Sequence, residues 1–343
     1  MGHGHPAVVN AVKKQAEQYM HTMVYGEYVL TPQVQLSHLL AQHLPAPLDS
    51  VYLVNSGTEA TEGAMKLAKR YTGRSEFIAA SHSYHGSTQG AASLMWPTDF
   101  TQAFHPLLPG ITHIEFNDDA ALQAITHRTA AVVLETVQAE WGIRKPRAEW
   151  LQAIRQRCYD TGTLLILDEI QAGYGRTGTL WAFEQYHIVP DILLLAKGMG
   201  GGMPIGAFVA AKEVMQCLSH DPVLGHITTF GGHPVSAAAA VATLETLIHT
   251  PYIQEVKKKE ALLLQRLQHR NIRQVRTAGL WAAIELDSFE AVQQVIQYGL
   301  AHGIIVDWFL FNNRSIRIAP PLTITEAELN QACDILLAGI SKL

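Results

Sequence analysis

Short, continuous apolar runs alternate with amphipathic stretches across the first two thirds of the chain. Residues 51–54, 76–80, 111–116, 130–134, 163–167, 192–196 and 206–211 read as buried strands, and helical periodicity fills intervals such as 59–71 and 150–160. Apolar strands that alternate with helices predict a mostly parallel, seven-stranded α/β sheet covered on both faces. This large domain is expected over residues 18–243. Later in the chain the texture changes. Helix patterns at 251–269, 289–302 and 326–341 surround strand-like segments at 280–286 and 315–318. Helices segregated around a few strands predict a smaller α+β domain, assigned to 1–17 and 244–343.

Composition narrows the classes. A net charge of −5 gives no electrostatic basis for binding nucleic acid or an anionic membrane. No apolar run reaches the length of a membrane span. The three cysteines, Cys158, Cys217 and Cys333, are far apart and form no CxxC pair, which fits a reducing, cytoplasmic setting. Seventeen histidines are scattered without an HExxH-like spacing, so no metal site is expected.

The sharpest candidate is Lys197, delivered by the run 191–196 into the glycine loop 198–202. The loop does not fit G-x-x-x-x-G-K-[ST], and its glycines give no dinucleotide fingerprint. An ordinary lysine at a strand end remains the plain alternative. Asp168 ends another apolar strand, followed by Glu169, Ile170 and Gln171. Open α/β sheets bind ligands at the carboxyl ends of their strands. A poorly solvated carboxylate there calls for a cationic partner, although it could equally cap the following turn. A lysine able to form a Schiff base, with an aspartate able to hold a pyridinium nitrogen, is the pattern of pyridoxal-phosphate chemistry.

Other strand ends add to this pair. Ser56, Gly57 and Thr58 open a helix after a strand, with Glu59 spaced to complete a capping box. Such a terminus binds phosphate, or is simply a well-capped helix. Tyr84-His85-Gly86 offers an aromatic ring and a close backbone approach. Glu135, Gln138 and Glu140 follow a third strand, Thr229 lies in a turn before an Ala-rich helix, and Arg317 is a charge inside an apolar strand. That arginine needs a carboxylate partner, from substrate or from protein.

Together, Ser56-Gly-Thr-Glu-Ala60, Tyr84-His-Gly86, Glu135-x-x-Gln-x-Glu140, Asp168-Glu-Ile-Gln171, Lys197-Gly198, Thr229-Phe-Gly-Gly232 and Arg317-x-x-Pro-Pro321 follow the motif order of the class III aminotransferases. The whole chain resembles the acetylornithine/ornithine branch of these fold-type I pyridoxal-phosphate enzymes. The resemblance implies that Lys197 joins the cofactor covalently and then shuttles a proton, while Asp168 holds the pyridine nitrogen. Gln171 would lie near the ring hydroxyl and Tyr84 against the ring face, with His85 in the same turn. Ser56, Gly57 and Thr58 would hold the phosphate, together with Thr229 of a second subunit in a homodimer. On the substrate side it implies Glu135, Glu140 and Arg317: Arg317 takes the α-carboxylate of glutamate, and Glu140 masks it when the ω-amine enters. The implied reaction is ping-pong transfer of an amino group to 2-oxoglutarate.

The chain departs from the family pattern in three respects. Ser87 stands where an arginine usually binds the distal carboxylate of the substrate, so either the donor differs or another cation, such as Arg144, substitutes. Thr136 replaces the usual proline, the run Ala139-Glu140-Trp141-Gly142 replaces a more glycine-rich one, and His233, with no implied role, stands where asparagine is common. Family members also reach the counterpart of Gly2–Pro6 only after an upstream segment, so the N-terminal part of the small domain is expected to be missing. Alternatives of other classes are another pyridoxal-phosphate reaction (aminomutase, racemase or decarboxylase) and a non-catalytic, cofactor-binding homologue.

Overall fold

The computed structural model describes residues 1–21 and 28–343. The larger sheet comprises β1 (Ser50–Val54), β2 (Glu76–Ala80), β3 (Ile111–Ile114), β4 (Thr129–Glu135), β5 (Leu164–Asp168), β6 (Ile192–Leu195) and β7 (Gly206–Ala210). Their order is β1-β7-β6-β5-β4-β2-β3. Neighbours from β6 through β3 are parallel, whereas β7 runs antiparallel to both β1 and β6. This is the mostly parallel α/β sheet that the apolar runs predict.

Strands β4, β5, β6 and β7 are buried at every position. Helices on both faces explain why their sequences show no polar alternation. The first helices are α1 (Pro6–Gln18), α2 (Thr31–Gln42), α3 (Gly57–Thr72), α4 (Gln89–Ser93), α5 (Ala148–Thr161), α6 (Lys212–Met215) and α7 (Pro234–His249). Alternate strand residues enter opposite cores, as a period of two requires. Leu165, Leu167 and Leu193 join Trp150 and Ile154 of α5, while Ile166, Leu194 and Phe208 join Ala60, Ala64 and Leu67 of α3. Small residues let α3 lie close to the sheet: a Cβ on Gly63 would stand 2.3 Å from the Phe208 ring. Both α1 and α2 pack against α7.

The second sheet is four-stranded and antiparallel, in the order β10-β11-β9-β8. It consists of β8 (Gln274–Thr277), β9 (Ala282–Glu285), β10 (Asp307–Phe309) and β11 (Asn312–Ile318). Of helices α8 (Val256–Arg266), α9 (Phe289–Ala301) and α10 (Glu326–Ile340), α10 packs on both α8 and α9, and α9 packs on β11. Helix α8 is shorter than the predicted 251–269: its first turn is preceded by hydrogen-bonded turns from Pro251, and Leu267 leaves helical geometry at φ −80, ψ 56. Strands β8 and β10 escape the pattern reading because one is largely polar and the other only three residues long.

Strand β1 shares the direction of β6, since both oppose β7. The carboxyl ends of β1, β2, β4, β5 and β6 therefore lie along one edge, and this edge carries the chemistry.

Candidate active site

These strand ends surround a cavity of about 410 Å³, lined by Ser56, Thr58, Tyr84, Asp168, Gln171 and Lys197 among others. Residues drawn from separate motifs thus meet in one place.

Asp168, the last residue of β5, is 4% exposed and has a partner for each oxygen. Its Oδ1 accepts the Ile170 N–H at 2.9 Å, and its Oδ2 lies 2.7 Å from His85 Nδ1. Asp168 thus caps its own turn and also has a buried imidazole partner within the protein. Desolvation opposes charge on His85, but the hydrogen bond and charge of Asp168 hold its pKa above the ordinary histidine value. His85 Nε2 is buried without a hydrogen-bond partner. His85 lines the same cavity beside Asp168 and holds that carboxylate.

Ser56 caps α3 by accepting the Glu59 N–H at 3.3 Å. The expected capping box is only half formed. Glu59 reaches one residue further back, accepting the Asn55 N–H at 2.6 Å and its side-chain amide at 3.2 Å. Asn55 offers two donors where Ser56 would offer one, and it also donates to Thr228 Oγ1 at 3.1 Å, which ties the loop before α7 to the cradle. Thr88 Oγ1 donates to the Glu62 carboxylate at 2.6 Å, so the 2.7 Å contact between the two threonines must have Thr58 as donor. With the Thr58 hydroxyl committed to Thr88, the open α3 terminus offers its first-turn backbone N–H groups. Gly86, at φ +133, closes the turn against this terminus, where a Cβ would fall 2.3 Å from Thr58 Oγ1.

Lys197 follows β6 in left-handed geometry at φ +46, an unfavourable conformation for a long side chain. It is exposed within the cavity mouth. Desolvation by the surrounding walls lowers its pKa, while the charges of Asp168, Glu140 and Glu135 oppose that shift. A lysine depressed in this way has more neutral, nucleophilic amine at a given pH.

Glu140 Oε1 accepts Arg317 Nη1 at 2.8 Å and Gln171 Nε2 at 3.3 Å. Its Oε2 accepts the Leu310 N–H at 3.0 Å. The predicted carboxylate partner of Arg317 is therefore Glu140, and Gln171 connects the pair to the cavity. Arg317 has a second acid, Asp307, at 3.1 Å. Nothing in the sequence flags Asp307, because its proximity arises from strand register. Glu135 is fully engaged by backbone: it accepts Tyr84 N–H at 3.2 Å and Ala139 N–H at 2.9 Å, and burial pushes its pKa up to about 7. Its direct effect is to fix the Tyr84 turn.

Three other positions resolve differently. Ser87 accepts or donates to Tyr84 Oη at 2.8 Å. Arg144 lies over the Trp141 ring, 5.0 Å from its centroid, and lines a separate cleft with Arg276, so it does not replace the missing arginine in this cavity. His233 caps α7, its Nδ1 accepting the Val235 N–H at 3.3 Å.

The donor set suits pyridoxal phosphate. The cavity brings together the backbone N–H groups of a helix start, able to hold a phosphate, the Tyr84 ring, the buried Asp168 carboxylate and the Lys197 amine. The comparisons agree. Residues 1–340 match the family described as Aminotransferase class-III. Acetylornithine aminotransferase of Methanopyrus kandleri is 40% identical over 337 residues, covering 97% of this chain and 84% of its own. Putrescine aminotransferase of Pectobacterium atrosepticum is also 40% identical, over 359 residues, with 98% and 76% covered. Ornithine aminotransferase of Toxoplasma gondii, solved with pyridoxal phosphate at partial occupancy in its active site, superposes with a TM-score of 0.91 at 30% identity, covering 99% of this chain and 83% of that one. The cavity, its donors and these relatives together identify the chain as a member of the class III aminotransferases, enzymes that transfer amino groups with pyridoxal phosphate.

Proposed function

We propose that this aminotransferase moves the ω-amino group of an acetylornithine- or ornithine-like donor to 2-oxoglutarate in a ping-pong cycle. The observation that carries this reading is the Glu140–Arg317 pair at 2.8 Å, joined to the cavity through Gln171. One arginine can serve two substrates when its charge can be neutralised in place. Masked by Glu140, it admits an uncharged or cationic group; unmasked, it receives a carboxylate.

When bound, pyridoxal phosphate supplies an electron sink for the charge left as a proton departs from the carbon bearing the amine. The protein does the rest. Lys197 Nζ would take that proton from the carbon bearing the amine and deliver it to the cofactor carbon that ends up carrying the amine. Asp168, held by His85 and the Ile170 N–H, would supply the hydrogen-bond acceptor for the pyridine nitrogen. Tyr84, positioned by Glu135, would supply the aromatic surface for the ring. Ser56, Gly57 and Thr58 would hold the phosphate, mainly through backbone N–H groups.

The reading includes a homodimer in which Thr229 reaches the phosphate site of the partner. Supporting it, Val223, Leu224, Ile227 and Phe230 near Thr229 are 75%, 47%, 52% and 51% exposed, a large apolar area for a single chain. Free cysteines at 158, 217 and 333 fit a cytoplasmic site of action. No helix among the described residues is long and apolar enough to cross a membrane.

The test is the visible spectrum of the loaded enzyme before and after L-glutamate. Bleaching of the bound cofactor, reversed by 2-oxoglutarate, is the expected result. A band that persists with glutamate but bleaches with other amines would overturn the assignment of the acceptor.

A further inference from the structure

Arg317 is paired twice. Its Nη1 meets Glu140 Oε1 at 2.8 Å, and its Nη2 meets Asp307 Oδ2 at 3.1 Å. The two acids come from different parts of the fold. Glu140 lies in the loop after β4, across from the small sheet, whereas Asp307 lies on β10, with its Cα directly opposite Arg317 in the β10–β11 register. Residues directly opposite in an antiparallel pair share a face and sit close together. The other oxygen of Asp307 accepts the Trp308 N–H at 2.8 Å, which sets the carboxylate towards the arginine.

This arrangement has an asymmetric consequence. A substrate carboxylate that displaces Glu140 does not meet a free guanidinium, because Asp307 belongs to the same hairpin and stays with it. We propose that Asp307 is a specificity-determining residue that competes with the substrate α-carboxylate for Arg317, weakening the acid-bearing half-reaction and leaving the amine half untouched. The inference rests on Arg317 receiving that carboxylate, as proposed above. Its size is bounded by exposure. The Asp307 side chain is 57% exposed, and exposed ion pairs are worth little, so the expected effect is about two- to fivefold in affinity.

The test uses the loaded enzyme and its Asp307→Asn variant. Binding of glutarate, a dicarboxylate with no amine to transfer, is followed by calorimetry. Single-turnover kinetics are measured with L-glutamate and with a monoamine that lacks a carboxylate. The expected result is a two- to fivefold lower Kd for glutarate and glutamate, with the limiting rate constant holding and the monoamine Kd unmoved. Asp307→Glu should restore the weaker binding. Equal shifts for acid and amine, no shift for either acid, or a change confined to the rate constant would each overturn the proposal. Arg317→Gln separates the two levels of the argument. If it weakens glutarate binding while Asp307→Asn does nothing, only the role of Asp307 falls. If glutarate binding is indifferent to Arg317→Gln, the carboxylate assignment falls, and Asp307 has nothing to compete for.

Discussion

His85 Nδ1 lies 2.7 Å from Asp168 Oδ2, with both side chains at or below 5% exposure, so the carboxylate in the cavity wall is oriented by a buried imidazole next to it. Removing one partner of a buried, charge-assisted hydrogen bond leaves the other to bear its desolvation. His85→Ala should therefore weaken binding of pyridoxal phosphate by about ten- to a hundredfold. His85→Asn, which keeps a donor, should recover part of the loss. Equilibrium titration by fluorescence checks both, and equal affinities across wild type and variants would exclude the positioning role.

The Glu140–Arg317 pair predicts a selectivity change. Glu140→Ala leaves Arg317 with Asp307 alone, so substrates with an α-carboxylate should gain relative to those presenting an ω-amine. The ratio of kcat/KM for L-glutamate to that for the ω-amine donor should rise about tenfold, which corresponds to about 1.4 kcal/mol of differential binding. A ratio that stays fixed would sink the masking argument.

Lys197 carries a pH signature. Desolvation lowers its pKa from the ordinary 10.5, and the neutral amine is the form that attacks a carbonyl. The rate at which apoenzyme takes up cofactor should thus rise with pH and level off below 10.5. Glu140 is one of the charges that raise this pKa, so Glu140→Ala should move the midpoint to still lower pH. Stopped-flow absorbance at a series of pH values reads both. An unchanged midpoint in the variant would contradict the electrostatic account.

Stability should also respond to pH through Glu169. This residue is fully buried and accepts Thr136 Oγ1 at 2.9 Å and the Ala182 and Phe183 N–H groups at 2.7 Å each. Desolvation nevertheless outweighs those bonds and raises its pKa from 4.5 to about 7. Between those values the folded chain holds a proton that the unfolded chain has released, so this contribution to stability is full below 4.5 and is lost as pH rises through about 7. Glu169→Gln should flatten the fall in urea midpoint across that window. Glu135, shifted the same way, would leave a residual slope.

Some of this was legible in the sequence because the signals are local. Continuous apolar strands ending in Asp168 and Lys197 marked both the sheet and its reactive edge, and the cap at Ser56 required only its own helix start. Other features depend on pairing that local sequence does not encode. His85 and Asp168 are 83 residues apart, and Glu140 and Arg317 are 177 apart. Family motifs supplied their roles, but not the contact that makes His85 a support for Asp168. Asp307 is near Arg317 in sequence, yet only strand register sets the two face to face. The direction of β7 and the commitment of Thr58 to Thr88 were hidden for the same reason.

Glu140 is fastened twice to the tip of the β10–β11 hairpin: its carboxylate accepts the Leu310 N–H, and its main-chain carbonyl accepts the Phe311 N–H at 3.0 Å. A carboxylate that leaves Arg317 would give up the first bond, while the main-chain bond and the pairing of β11 with β9 keep the hairpin in place. A charge exchange at one guanidinium is thereby confined to a single side chain, and the strand pair that carries Arg317 is a fixed platform for it.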